Sequence, residues 1–141
     1  MEAKEYFLEI RNMEYKVQIL SAEIKHQREL LSSSGAMDYS VDKIQNGSSE
    51  KYPAYVRTLE RIDKKMREKE ELLAEYTSIR EEALSKLELL SDDKDKLVLH
   101  QKFFLFRTFE QIERETHISF GNVRYHYAKG LKEFEQRELW K

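Results

Sequence analysis

The chain has 141 residues, 40% hydrophobic and 37% charged, with four glycines, a single proline and no cysteine. So few chain breakers exclude a sheet built on tight turns and point to an all-α protein, and the lack of cysteine excludes a disulfide framework and a thiolate metal site. With 25 basic against 27 acidic side chains the net charge is −2, so a nucleic-acid surface must come from segregated positive charge.

The opening residues Met1-Glu2-Ala3-Lys4-Glu5 carry no apolar signal core, and no run reaches membrane-spanning length. A soluble protein of the cytoplasm with no membrane partner is expected. From Tyr6 onward, Ile10, Met13, Val17, Leu20, Ile24 and Leu31 recur in steps of four and three, broken only at Gln27. That spacing makes one apolar seam on a long helix, the coiled-coil pattern. Ser32-Ser33-Ser34-Gly35 should end it. Residues 35–52 show no helical period and many turn formers, and predict a long loop.

Pro53 suits the first turn of a second helix. Its seam runs through Leu59, Ile62, Met66, Leu73, Tyr76, Ala83, Leu87 and Leu90, with Lys69 and Arg80 as polar interruptions. Two long helices with matching seams predict an antiparallel, coiled-coil-like hairpin over 1–90, or pairing between two chains. Ser91 is the expected cap of the next helix, with Asp92, Asp93 and Asp95 near its positive end. Leu97, Val98, Leu99, Phe103 and Phe104 mark that helix as buried, and residues 91–141 are expected to form a small head.

Within the head, Thr108 is a good cap for a helix carrying Phe109 and Ile112. A short break at His117-Ile118-Ser119 precedes a last helix with Val123, Tyr127, Leu131 and Phe134. A supporting helix, a tight turn and a second helix make a helix-turn-helix, with Ile112, Ile118 and Val123 where the two helices touch. From Ser119 to Lys132 three basic residues, Arg124, Lys129 and Lys132, stand with no acid among them. Arg124 fits a bidentate contact to guanine and Asn122 a contact to adenine. Thr108 and Ser119 are placed for phosphate, as helix starts offer backbone N–H groups. Lys129 and Lys132 would release counterions on binding. Phe120 and Tyr125 complete the expected DNA-binding set, Phe120 being equally suited to packing on Phe109.

This segment resembles region 4 of the primary bacterial sigma factors, whose pattern reads Thr-Leu-x-x-Ile-Gly-x-x-Leu-x-Val-Ser-x-x-x-Val-Arg and continues into Ala-Leu-x-x-Leu. The chain matches at Thr108, Ile112, Ser119, Val123, Arg124 and Leu131, with Ile118 for Val. It departs at Glu113, where a small residue is usual, at Phe106, in the region where Gly is usual, and at Thr116 and His126, usually apolar. An arm ahead of such a head is similar to small transcriptional regulators of Gram-positive phages, the late-operon activators and autolysin regulators. Met37 to Gln45 is similar to a Tyr-Ser-x-Asp-x-Val-Gln stretch of that group. The resemblance implies double-stranded DNA as partner, contact with RNA polymerase, and a bacterial host cell. Homodimerisation through the arm would present two reading helices.

Two other functions fit the same elements: the small subunit of a phage DNA-packaging enzyme, and a polymerase-binding protein that does not read DNA. No glycine-rich phosphate loop or nucleophile elbow is present, so no enzyme is expected. His26, His100, His117 and His126 do not fall at paired ligand spacings, and neither a metal nor a cofactor is expected.

Overall fold

The computed structural model describes residues 2–33 and 54–141. The expected loop at 35–52, the Met37–Gln45 match within it and the place of Pro53 lie outside the described residues. Among the described residues the protein is all-helical, without a strand, and no helix is long and apolar enough to cross a membrane. The helices are α1 (Ala3–Ser33), α2 (Ala54–Leu87), α3 (Asp93–Phe103), α4 (Phe109–Thr116) and α5 (Phe120–Gln136).

Packing groups the chain into two compact units. One unit comprises residues 1–14 and 75–141, and the other residues 15–74. In the first, Phe7 and Ile10 of α1 and Ala83 and Leu87 of α2 share a core with Leu99, Phe103, Phe104 and Phe134. The sequence seam passes through Tyr6, yet its neighbour Phe7 is the fully buried residue. Its ring stacks on Phe103 at 4.9 Å and tilts against Phe134 at 4.8 Å. A seam residue is defined by one facing helix, whereas the start of α1 is enclosed by several, so burial spreads around it.

In the second unit Val17, Ile24 and Ile62 are buried. Arg28 Nη2 lies 3.0 Å from Met66 Sδ, and Ile24, Arg28, Met66, Lys69 and Leu73 line one hollow. Leu59 and Leu73, both on the predicted seam of α2, are exposed.

The cap of α3 is Asp92 and not Ser91. Asp92 Oδ1 accepts from the Lys94 backbone N–H at 2.8 Å. The Ser91 hydroxyl and backbone N–H instead donate to Glu133 on α5, at 2.7 and 3.1 Å. An aspartate and a serine both cap well, so which one does so is decided by this long-range acceptor. Burial alone would push the Glu133 carboxyl up, but the bonds from Ser91 and Arg137 hold it below the usual range.

Candidate nucleic-acid interface

Two helices joined by a three-residue turn build the candidate surface. Thr108 caps α4 through a capping box: its hydroxyl accepts from the Gln111 N–H at 3.2 Å, and Gln111 Oε1 accepts from the Thr108 N–H at 2.8 Å. At the other end of α4, His117 is left-handed with φ 60°, and its N–H donates to Glu113 O at 2.9 Å. Thr116, at a position the resemblance makes apolar, turns its hydroxyl inward. It donates to Ile112 O at 2.6 Å and accepts from the Ile118 N–H at 3.3 Å, which fixes the turn without solvent. Ser119 then caps α5, accepting from the Asn122 N–H at 3.4 Å.

The helices meet over Val98, Ile112 and Val123, all fully buried, with Phe109, Ile118 and Tyr127 packed beside them. Phe109 contacts Tyr127 edge-on at 5.1 Å and Phe120 edge-on at 6.3 Å. Phe120 is half-buried, so packing takes much of its ring. Glu113, where a small residue is usual, is exposed and takes no part in the crossing. Phe106 stands in the region where the resemblance has Gly, and it adopts φ 57°, the left-handed conformation that normally selects glycine. Its ring lies 5.6 Å from the Arg11 guanidinium.

One face of α5 is turned to solvent. Gly121, Arg124, Tyr125, Ala128 and Lys132 fall at helical spacing along it, and all are exposed. Val123, His126, Gly130 and Phe134 form the buried face. Arg124 and Tyr125 are the long side chains at the head of the exposed face, flanked by Gly121 and Ala128, which project little or nothing. Arg124 lies 5.9 Å from the Phe120 ring centre, which restrains the guanidinium near the start of the helix. Asn122 is exposed to one side of this row.

Of the expected DNA-binding residues, Ser119, Phe120, Asn122, Arg124 and Tyr125 cluster at the start of α5. Lys132 lies two turns further on the same face, and Thr108 sits at the start of α4 as its cap. Lys129 is placed differently. Its ammonium lies 2.6 Å from Asp92 Oδ2 and 3.6 Å from Asp95 Oδ2, so it is held in an internal ion pair. The bond to Lys129 is the main reason that the Asp92 carboxyl is held below its usual range, and Asp92 in turn raises the Lys129 ammonium. The exposed face therefore carries two basic side chains, Arg124 and Lys132.

Behind that face lies a polar cluster that sequence reasoning missed. Asp95 is fully buried and its Oδ1 is 2.7 Å from His126 Nδ1, while His126 Nδ1 is 3.8 Å from Asp92 Oδ2. Asp95 and His126 are 31 positions apart. The only trace of the cluster in the sequence is a matched spacing, Asp92-x-x-Asp95 on one helix and His126-x-x-Lys129 on another, each pair on a single face. Comparison of the chain with family models, curated proteins and solved structures found no match.

Proposed function

We propose that the chain is a sequence-specific, DNA-binding transcriptional regulator that sets the exposed face of α5 into the major groove. The observation that carries this reading is the composition of that face: Arg124, Tyr125 and Lys132 project from it, Gly121 and Ala128 leave it low, and no acid occurs from Ser119 to Lys132. A groove about 12 Å wide admits a helix whose contact face is not bulky. Arg124, restrained by Phe120, is the base reader, and Asn122 and Tyr125 are its neighbours on the duplex. Ser119 and the first backbone N–H groups of α5 take a phosphate, as helix starts do, and Thr108 offers the same at the start of α4. Lys132 supplies salt-sensitive affinity.

The resemblance to sigma region 4 supports promoter or operator DNA as the target, RNA polymerase as a second partner, and a phage or prophage origin. In this function α4 supports α5, and the arm serves dimerisation.

Selection of sites from random duplex DNA at two salt concentrations tests the reading. An enriched motif, bound more weakly at the higher salt, is expected. Arg124→Ala should relax discrimination at one base pair by about 1–3 kcal/mol. Failure to enrich any motif with folded protein would overturn the reading in favour of a polymerase-binding or packaging role.

A further inference from the structure

We propose that Asp92, Asp95 and His126 form a binding site for a divalent transition-metal cation, zinc being the ion that fits, and that Lys129 competes for it. Their ligand atoms all lie within 4.8 Å of one another. Asp92 caps α3 and Asp95 lies in its first turn, while His126 comes from the buried face of α5. A single ion would thus tie together the two helices whose packing aims the exposed face of α5.

The state of Asp95 provides an independent pointer to a cation. It is fully buried, and its Oδ1 faces His126 Nδ1. Its Oδ2 is buried with no hydrogen-bond partner. The Lys129 ammonium, bonded to Asp92, stops 3.6 Å short of that oxygen. A carboxylate oxygen so placed has lost water without gaining a full replacement, and such atoms are rare in native proteins.

Charge leads to the same place. Two carboxylates facing one ammonium leave one negative charge when the imidazole is neutral. A divalent ion on both carboxylates and a neutral imidazole cancels the two carboxylate charges without the ammonium. Lys129 then becomes dispensable to the cluster, and with 38% of its side chain exposed it can turn to solvent without rearranging the helices. One nitrogen and two oxygens, with a fourth position for water, suit tetrahedral zinc. Calcium seeks six to eight oxygen ligands and magnesium a near-ideal octahedron, and a nitrogen donor suits neither.

The consequence for DNA rests on the function proposed above. Zinc would free Lys129, which follows Ala128 on α5, and so add a third basic side chain beside Arg124 and Lys132. Metal uptake itself does not depend on that reading and is measured without DNA.

The test is a zinc titration of the whole chain in competition with a chromophoric chelator at neutral pH, with far-ultraviolet circular dichroism as the check on folding. One zinc per chain is expected. His126→Gln should weaken binding by more than about tenfold, since even outer-shell changes reach that size. Lys129→Met removes the competitor and keeps every ligand, so it should tighten binding several-fold, and it serves if His126→Gln does not fold. Absence of saturable uptake, equal uptake by His126→Gln, or unchanged affinity in Lys129→Met would each overturn the proposal and leave Lys129 as the cluster's own cation.

Discussion

Tyr6 shows how burial and neighbours combine on one titratable group. It is half-buried, with Phe7 and Phe134 against its ring and the Lys86 ammonium 5.1 Å from the ring centre. Burial, then the nearby Glu82 and Glu9 carboxylates, push its phenol up from 10.0 to about 12. The folded state therefore holds this proton more tightly than the unfolded chain does. The associated stability is fully present below pH 10 and is lost as pH rises through about 12. Burial also pushes the Tyr76 and Tyr127 phenols up, so a phenolate absorbance titration should show several late tyrosines, of which Tyr6→Phe removes one, and the alkaline fall in stability should be shallower in that variant. A Tyr6→Phe chain with an unchanged titration curve would remove the assignment.

At the scale of elements, α3 and α5 approach each other closely at Gly130. A Cβ at Gly130 would lie 2.9 Å from Leu99 Cδ1 and 3.2 Å from Asp95 Cβ, and both residues are fully buried. Overpacking at such a point costs about 1–3 kcal/mol, against a helix-propensity gain of about 1 kcal/mol for replacing glycine. Gly121 is the internal control, since a Cβ there meets nothing within 4 Å. Gly130→Ala should lower the midpoint of thermal unfolding, and Gly121→Ala should leave it unchanged or raise it. Equal midpoints for the two variants would show that the α3–α5 crossing is looser than these distances describe.

For the whole molecule the arithmetic of charge is decisive. The chain is net negative, and the exposed face of α5 carries two basic side chains. A single such head neutralises few phosphates, and affinity at physiological salt follows that number. The proposed function therefore requires two heads or a polymerase contact, and dimerisation through the arm provides the first. Sedimentation equilibrium should show a dimer at concentrations where DNA is bound, and the selected site should be palindromic. A monomer on an asymmetric site would remove dimerisation from the proposal and make polymerase the second contact.

Much of this architecture was legible before any coordinate. The all-α class, the caps Thr108 and Ser119, and the contact of Ile112 with Val123 all follow from signals that act within a turn or two of helix. Apolar periodicity and capping chemistry are local, so a sequence determines them by itself. Tertiary structure alone decided that Phe7 and not Tyr6 is fully buried, that Asp92 and not Ser91 caps α3, and that Lys129 is turned inward. It alone assembled Asp92, Asp95 and His126, and it admitted Phe106 in the region where a glycine is usual. Each of these depends on which distant side chain arrives as partner, and that is set by the way the helices cross.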